Sequence, residues 1–455
     1  MNSPNPQQEK AIAYGPAPLC IVAGAGSGKT FVLTQRIAYL IQNNIIKPEE
    51  VLAITFTNKA ATEMKDRLSK LLGPTSDRLG FIGTFHALGA KILRRFYPKI
   101  NRSSAFQIID NSEQIQMIRS IFKTLNIDFQ KDLAYQILSA ISRCRQADLP
   151  LDQVSDFFKS DAPVNIQDIA SRYQTILMNQ NAIDFDSLLT EPLRLFQACP
   201  EALATLQKEF QFCAVDEYQD SNDVQVKLSY ALSRVHQNIT VVGDFDQTIY
   251  TWRGANPSHM LAFNQQFPGS KSIKLEQNYR CTQTIIEASN MLINHNKNRQ
   301  DKVLWTENPK GSPIKYFITI DEQEEARVIA QEIRKRLNEN DHLTYSDIAI
   351  LYRINAQSRA FEDTLNKSDI PYQLIGGTSF YDRQEIKDVL AYFNLVQNPN
   401  NAMAFSRAIT KPNRGIGEKS IEKFILFAHD RSLSFIEASQ SNQLPLSKNQ
   451  IEHIK

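Results

Sequence analysis

A glycine-rich loop near the N-terminus carries the residue types that bind nucleotide phosphates. Residues 23–30 read AGAGSGKT, with alanine where the phosphate-loop pattern has its first glycine. Small residues let successive backbone N–H groups point at phosphate oxygens, so we expect contacts from Ala23, Gly24, Ala25, Gly26, Ser27 and Gly28. Lys29 would neutralise the β- and γ-phosphates, and the Thr30 hydroxyl would ligate Mg²⁺. The loop follows an apolar run and precedes a helical pattern, which is the context that such a site needs.

An acidic pair lies far along the chain, in residues 215–220 (VDEYQD). Asp216 would hold Mg²⁺, usually through water, and Glu217 would orient and deprotonate an attacking water. On its own, such a pair after a strand is more often a helix N-cap with a solvated neighbour. Together with the glycine-rich loop, it predicts a site that binds a nucleoside triphosphate with Mg²⁺ and activates a nucleophile.

A third polar motif, residues 243–255 (GDFDQTIYTWRGA), also follows an apolar run. Gln247 could reach a γ-phosphate, whereas Tyr250 and Trp252 offer flat faces on which bases stack. The alternative, that Trp252 packs beneath the sheet, stays open at this point. In residues 275–280 (LEQNYR), Arg280 could stabilise charge on a transferring phosphoryl group, and Tyr279 could stack on adenine.

Two further motifs combine aromatic, hydroxyl and basic groups, namely 54–61 (ITFTNKAA) and 83–86 (GTFH). Such groups suit contacts with phosphate and base, although single examples are usually capped helix starts. A basic stretch without acidic residues follows the second motif: Lys91, Arg94, Arg95, Lys99 and Arg102. It predicts either a polyanion-binding patch or a solvated helix face.

Short apolar runs alternate with helical patterns, which predicts an α/β fold built on a parallel sheet flanked by helices. Strands are expected at 19–22, 51–55, 212–216 and 239–242, each ending directly before a polar motif, where ligands of parallel sheets gather. Between about 110 and 184 the pattern is only helical and predicts an insertion. A second α/β unit is expected from about Cys281, with strands at 314–320, 347–352 and 372–375. From about Phe380 the pattern is helical again.

The composition is that of a globular protein of several domains. The chain has 455 residues, 42% of them hydrophobic and 22% charged, with a net charge of +2, so a polyanion site must be a local patch. No apolar run is long enough to span a bilayer, and the N-terminus lacks an apolar signal segment. The cysteines have no metal-site spacing and predict reduced thiols in a cytoplasmic protein: Cys20, Cys144, Cys199, Cys213 and Cys281.

Seven motifs occur in a fixed order: GAGSGKT, ITFTNKAA, GTFH, DFDSLL, VDEYQD, GDFDQTIYTWRGA and LEQNYR. This set resembles the superfamily 1 DNA helicases of the UvrD/Rep/PcrA type, from the N-terminus to at least Gly417. The resemblance implies two RecA-like P-loop NTPase domains with helical insertions, ATP in their cleft, single-stranded DNA across them, and 3′-to-5′ stepping. It implies domain 1A at 1–107 and 185–277, insertion 1B at 108–184, an incomplete domain 2A at 278–378 and a partial insertion 2B at 379–455.

The resemblance also assigns roles to individual residues. Gln8 would read the adenine edge, Gln247 would couple the γ-phosphate to the DNA site, and Arg280 would be the first arginine finger. Residues 380–388 (FYDRQEIKD) match the start of the second insertion. The DNA-binding residues that it implies are Phe56, Asn58, Thr84, His86, Tyr250, Trp252, Arg253, Arg353, Asn355, Gly415 and Gly417.

Two departures from the family pattern qualify these expectations. Many relatives have arginine after GKT, at the adenine site, whereas this chain has Phe31; Arg36 and Tyr279 are candidates to compensate. The family's last two motifs, one with the second arginine finger, are not found before Lys455.

We therefore expect the N-terminal portion of an ATP-dependent 3′–5′ helicase. It should bind ATP, single-stranded DNA and single-strand/duplex junctions, but hydrolyse ATP and unwind DNA poorly alone. Two alternatives are an ATP-gated DNA-binding regulatory module and the helicase subunit of a helicase–nuclease.

Overall fold

The computed structural model describes residues 3–160, 162–296, 301–375, 384–412, 414–431, 433–441, 443–447 and 450–451. The chain divides into two compact units, Met1–Ser312 and Pro313–Lys455. The five domain segments implied by the resemblance remain a prediction.

A six-stranded sheet forms the centre of the first unit. Its strands are β1 (Leu19–Ala23), β2 (Val51–Thr55), β3 (Phe81–Thr84), β6 (Phe212–Val215), β7 (Ile239–Gly243) and β8 (Lys271–Leu275). Their order is β3-β2-β6-β7-β1-β8, and every pairing is parallel. This arrangement confirms the predicted α/β class and the four strands predicted for this half of the chain. The two edge strands, β3 and β8, were not among these four, and in β8 only Ile273 and Leu275 give an apolar pattern.

Helices cover both faces of this sheet, which explains why the central strands are apolar along their whole length. The helices of this layer are α1 (Pro6–Ile12), α2 (Lys29–Gln42), α3 (Asn58–Leu72), α4 (Phe85–Phe96), α8 (Ser187–Ala198), α9 (Pro200–Glu209), α10 (Asp223–Ser233), α11 (Ser258–Leu261), α12 (Phe263–Gln266) and α13 (Gln283–Ile293). Alternate strand residues point to opposite faces, so Ile21 and Val22 enter different cores. All six strands end at the same edge of the sheet, and the sequence motifs follow there.

The predicted helical insertion contains α5 (Asn111–Thr124), α6 (Lys131–Gln146) and α7 (Ile166–Asn179). Two short strands, β4 (Gln107–Ile108) and β5 (Ala182–Ile183), pair in parallel where the chain leaves and returns. A buried ion pair between Arg145 on α6 and Asp184 after β5 closes this junction, with Nη1 and Oδ2 2.5 Å apart.

The described helices of the second unit are α14 (Glu322–Glu339), α15 (Ser358–Lys367), α16 (Gln384–Gln397), α17 (Ala402–Thr410), α18 (Glu418–Asp430) and α19 (Phe435–Ser439). The strands predicted at 314–320, 347–352 and 372–375 are wrong for this structure, because these segments form no β-ladder. A strand needs a hydrogen-bonded neighbour, and apolar residues such as Ile318 and Leu351 remain exposed instead. Of the predicted start of the second insertion, 380–388, residues 380–383 lie outside the described residues, and 384–388 form the beginning of α16.

Among the described residues, no helix combines the length and apolarity needed to cross a membrane. All five cysteines are free thiols. Burial raises the pKa of Cys20 and of Cys213 to about 12 each, so both thiols stay protonated and inert within the core.

Candidate nucleotide and nucleic-acid site

The glycine-rich loop connects the end of β1 to the first turn of α2. Gly26 and Gly28 have φ values of 66° and 84°, which side chains with a Cβ rarely adopt. The Ser27 hydroxyl donates to the Gly24 carbonyl at 2.8 Å and closes the loop from within. Lys29 and Thr30 then open α2, so the helix N-terminus faces the loop's concavity, the arrangement that binds phosphate.

The residues predicted to carry the chemistry converge at the ends of β1, β6 and β7. Lys29 Nζ lies 2.7 Å from Glu217 Oε2 and 3.4 Å from Gln247 Oε1. The Thr30 hydroxyl lies 3.3 Å from Asp216 Oδ2. Three segments of the chain thus supply one cation, two carboxylates, one hydroxyl and one amide to a single cluster.

The acidic pair has two distinct environments. Asp216 is buried, and this burial, followed by the charge of Glu217, raises its pKa to about 6 against the opposing influence of Lys29. Glu217 is half-buried and occupies the left-handed region, with φ 51° and ψ 43°. Such a conformation is costly for a residue with a Cβ and is typical of functional sites. It directs the Glu217 carboxylate at Lys29.

Two further polar residues, Gln219 and Asn278, belong to this region of the site, although the sequence motifs did not single them out. Gln219 is buried; its Nε2 donates to Glu217 Oε2 at 2.9 Å, while its Oε1 accepts from the Asp244 backbone N–H at 3.0 Å. Asn278 donates from Nδ2 to the Ala25 carbonyl at 2.7 Å, and so ties the segment after β8 to the glycine-rich loop. Their positions within VDEYQD and LEQNYR were the only signal in the sequence.

Gln8 and Tyr279 lie beside the glycine-rich loop, and both are hydrogen-bonded to Asn5. Gln8 is buried, its Nε2 donating to the Ser27 carbonyl at 3.0 Å and its Oε1 accepting from the Asn5 backbone N–H. The Tyr279 hydroxyl accepts from Asn5 Nδ2 at 2.8 Å, and its backbone N–H donates to the Gly26 carbonyl. The Tyr279 ring remains 40% exposed, so a face is available to a planar ligand.

Arg36 is a structural residue, which corrects the prediction that it compensates for Phe31 at the adenine site. Its side chain is fully buried and donates to Thr240 Oγ1 at 2.9 Å. Its remaining N–H groups donate to backbone carbonyls: Ala11, Ile12, Tyr14 and Gly15. Burial lowers the pKa of Arg36 to about 10. These carbonyls belong to the last turn of α1 and to the loop that follows it. The guanidinium therefore supports the fold and is not free to contact a nucleotide.

Arg280 follows Asn278 at the rim of the loop. Its side chain is exposed, and its Cβ would lie 2.8 Å from a Cβ built on Gly26. The Arg280 backbone N–H donates to Asn278 Oδ1 at 2.8 Å, which fixes the start of the side chain. A guanidinium anchored beside the loop and free at its tip suits contact with a phosphate.

A row of three aromatic rings lies beyond the ends of β2 and β7. The Phe56 and Tyr250 ring centroids are 4.6 Å apart, and those of Tyr250 and Trp252 are 6.3 Å apart. Trp252 is 59% exposed, which rules out the alternative that it packs beneath the sheet. The backbone of Arg253 continues the same turn, but its side chain lies outside the described residues.

The other predicted DNA-binding residues of the first unit begin helices. Asn58 is exposed at the start of α3, and His86 lies edge-on to the half-exposed ring of Phe185, with centroids 5.8 Å apart. Thr84 caps α4, accepting from the Ala87 backbone N–H at 3.2 Å. Asn58 and His86 therefore border the same sheet edge as the aromatic row, whereas the Thr84 hydroxyl is occupied by its cap.

The basic stretch along α4 is largely a structural surface. Acidic residues from α8 and α9 pair with three of its members: Arg95 with Glu209, Lys99 with Glu201 at 3.8 Å, and Arg102 with Glu191 at 2.6 Å. Lys91 and Arg94 lie over the rings of Phe81 and Phe106. The local absence of acids was misleading because the partners come from about a hundred residues further along the chain.

The predicted DNA contacts of the second unit lie on exposed backbone. Arg353 and Asn355 precede α15 and are exposed. Gly415 has φ 68° and Gly417 caps α18, and neither has an atom within 4 Å of a Cβ built on it. Ile416 between them is buried and anchors the loop. Both glycines thus border open space on the side where a Cβ would lie.

A segment outside every predicted motif crosses the site, residues 302–305 (KVLW). A Cβ built on Gly24 would lie 2.1 Å from Leu304 Cδ2, so the segment packs directly on the glycine-rich loop. Trp305 pairs with Gln277 in a parallel bridge, and the Asn278 backbone N–H donates to the Trp305 carbonyl at 2.7 Å. Lys302 forms ion pairs with Asp244 and Asp246. The segment thus contacts three motifs at once.

A six-stranded parallel sheet with a phosphate-binding loop, an acidic pair and an aromatic row defines a P-loop NTPase of the RecA-like class. Residues 4–268 match the UvrD/REP helicase N-terminal domain, and residues 273–449 match the UvrD-like helicase C-terminal domain. The chain therefore belongs to the UvrD/REP helicase family, as the motifs predicted.

Curated relatives give the same assignment. The chain is 43% identical over 436 residues to the ATP-dependent DNA helicase PcrA of Bacillus subtilis, covering 96% of this chain and 59% of the relative. It is 41% identical over 443 residues to the PcrA of Leuconostoc citreum, covering 97% and 59%. It is 42% identical over 452 residues to the PcrA of Staphylococcus aureus, covering 98% and 61%. The chain thus spans about three fifths of the length of these relatives.

Proposed function

We propose that this chain binds ATP with Mg²⁺ and couples ATP hydrolysis to 3′-to-5′ movement along single-stranded DNA, opening duplex DNA at a junction. One observation carries the proposal. Gln247 lies 3.4 Å from Lys29, and Tyr250 packs against Phe56 with ring centroids 4.6 Å apart; both residues belong to the same short loop. A change at the phosphates would therefore move an aromatic surface suited to bases.

The cluster at the glycine-rich loop supplies each function that phosphoryl transfer to water requires. Lys29 would neutralise the β- and γ-phosphates, and Glu217 would accept a proton from the attacking water. Arg280 would stabilise charge on the leaving phosphate oxygens. The Thr30 hydroxyl and the Asp216 carboxylate are hard oxygen donors that fit Mg²⁺, which would neutralise phosphate charge when bound.

The proposal places the protein in DNA repair or replication in the cytoplasm. Family membership and the names of the relatives, which are ATP-dependent DNA helicases, support the reaction and the nucleic acid. The stepping direction follows from the resemblance of the motifs. The exposed Gly415–Gly417 loop would hold the duplex side of a junction through its backbone.

Binding and turnover measurements on the 455-residue chain test this proposal. We expect it to bind a fluorescent ATP analogue in the presence of Mg²⁺ and to bind labelled oligothymidylate at low salt. We also expect ATP hydrolysis, slow or not, to rise when single-stranded DNA is added. Duplexes with a 3′ or a 5′ single-stranded tail then test direction. Hydrolysis that ignores DNA, or strand separation only from a 5′ tail, would contradict the proposal.

The exposed aromatic row makes a separate prediction about DNA affinity. Trp252→Ala should weaken single-stranded DNA binding by about 1–3 kcal/mol, or roughly 5- to 150-fold, because a stacking face is lost. Fluorescence anisotropy with labelled oligothymidylate measures the change. Ile249→Ala is the matched control, since Ile249 is 67% exposed nearby but has no ring. Equal affinities for Trp252→Ala and the wild type would remove Trp252 from the DNA site.

A further inference from the structure

Lys302 is a buried cation in the segment 302–305, and no motif of the sequence pointed to it. Its side chain is 3% exposed, and its Nζ forms an ion pair with Asp244, whose side chain is 2% exposed. A second carboxylate, Asp246 Oδ2, lies 3.1 Å away. Burying a charge is costly unless it is paired and hydrogen-bonded, so Lys302 and Asp244 depend on each other.

Asp244 divides its two carboxylate oxygens between different partners. Oδ1 accepts from Lys302 and from the Asp246 backbone N–H at 3.0 Å. Oδ2 accepts from Gln247 Nε2 at 2.5 Å. Since the amide nitrogen of Gln247 is committed to Asp244, its oxygen faces Lys29 at 3.4 Å. The orientation of the Gln247 amide at the nucleotide site thus follows from an ionised Asp244.

From this geometry we propose that Lys302 is a positioning residue for Gln247, acting through the buried carboxylate of Asp244. The inference rests on the proposed function, in which Gln247 contacts the γ-phosphate of ATP. Lys302 would therefore contribute to the preference for ATP over ADP without touching either nucleotide.

The consequence of removing Lys302 follows from the chemistry of Asp244. Without the cation, the Asp244 carboxylate would be buried without its counter-charge, which is costly, so it would shift or draw in water. An Asp244 carboxylate that has shifted no longer holds Gln247 Nε2, so the Gln247 amide could turn its oxygen away from Lys29. The Gln247 NH₂ group would then face the ammonium of Lys29, where a donor has no acceptor.

The path of the chain supports a role beyond anchoring. The Val303 backbone N–H donates to Glu276 Oε1 at 3.1 Å, and Asn290 holds both the N–H and the carbonyl of Leu304. Hydrogen bonds that do not involve Lys302 thus already fix this segment beside the glycine-rich loop. The ion pair between Lys302 and Asp244 is therefore not needed to hold the segment in place, which leaves it available to position Asp244.

Equilibrium affinities for a fluorescent non-hydrolysable ATP analogue and for the matching ADP derivative, both with Mg²⁺, test the proposal on the full chain. Lys302→Met should reduce the preference for the ATP analogue at least about tenfold, the lower end of the range for one hydrogen bond to a charged group, while ADP affinity changes little. Gln247→Ala should reduce the preference similarly, and adding Lys302→Met to it should change nothing further. Asp246→Asn is the matched control, because it removes the other carboxylate beside Lys302 while Gln247 Nε2 still donates to Asp244, and it should keep the wild-type preference.

Each other outcome overturns a specific statement. If Lys302→Met keeps the wild-type preference, or its effect persists undiminished in the Gln247→Ala background, Lys302 does not act through Gln247. If Lys302→Met fails to fold, Asp244→Asn replaces it, and an unchanged preference there overturns the inference equally. If Gln247→Ala leaves the preference intact, Gln247 does not sense the γ-phosphate and the inference falls with that role. A wild-type chain that binds neither nucleotide overturns the proposed function itself.

Discussion

Lys29→Ala is expected to abolish productive ATP binding while leaving the fold intact. Lys29 begins α2 beneath the glycine-rich loop and is the cation nearest to Glu217 and Gln247. In the proposed complex Lys29 pairs with the phosphates of ATP, and truncating one member of such a desolvated, hydrogen-bonded charge pair costs about 2–5 kcal/mol. We therefore expect affinity for a fluorescent ATP analogue to fall at least about thirtyfold, and DNA-stimulated hydrolysis to be lost.

Stability should respond much less to this substitution. The partner carboxylate of Glu217 is 36% exposed, so water can solvate it once Lys29 is gone. A melting temperature close to that of the wild type would separate lost binding from lost folding. Lys10→Ala, at an exposed position on α1, serves as the control and should change neither quantity. Wild-type ATP affinity in Lys29→Ala would show that the loop is only a structural turn.

Arg145→Met is expected to destabilise the first unit by about 3–5 kcal/mol, because it leaves a buried carboxylate without its cation. Arg145 donates to Asp184 Oδ2 and to Gln174 Oε1, each at 2.5 Å. Tyr173 and the Ser187 backbone N–H also donate to Asp184, at 2.9 and 2.8 Å. The network joins α6, α7 and the start of α8, so chemical denaturation should report its loss as a lower midpoint.

The effect of Arg145→Met should depend on pH with a definite sign. Burial raises the pKa of Asp184, but the Arg145 charge and the hydrogen bonds from Ser187 and Tyr173 outweigh it, so that pKa lies below its ordinary value. The stabilisation that ionised Asp184 gains from Arg145 is present at neutral pH, above the unfolded-state pKa of an aspartate, about 4. It is lost as the pH falls through the pKa of Asp184 in the folded state. Wild type and variant should therefore converge in acid.

A surface ion pair in the same helical insertion provides the control. Arg172 and Asp168 pair at 3.0 Å on α7, and both side chains are substantially exposed. Arg172→Met should cost less than about 1 kcal/mol at any pH. If Arg145→Met costs no more than Arg172→Met, the buried network does not hold the junction together.

The sequence by itself determined the nucleotide half of the site. Residues 23–30 and 215–220 required a strand before them and a common sheet edge, because parallel strands present their C-terminal ends together. Lys29, Thr30, Asp216, Glu217 and Gln247 meet there as expected. Local patterns carry this information because strand, loop and helix signals are contiguous in the chain.

Tertiary structure decided what depends on partners distant in sequence. Arg36 looked available for a nucleotide until the carbonyls that end α1 were found around it. The basic stretch that begins on α4 predicted either a polyanion-binding patch or a solvated helix face, and the structure pairs three of its cations with Glu191, Glu201 and Glu209. Lys302 lies in no recognisable motif, because its role depends on its ion pair with Asp244, which lies 58 residues earlier in the chain. A side chain's type sets which interactions it can make, whereas burial and neighbours select the one that it makes.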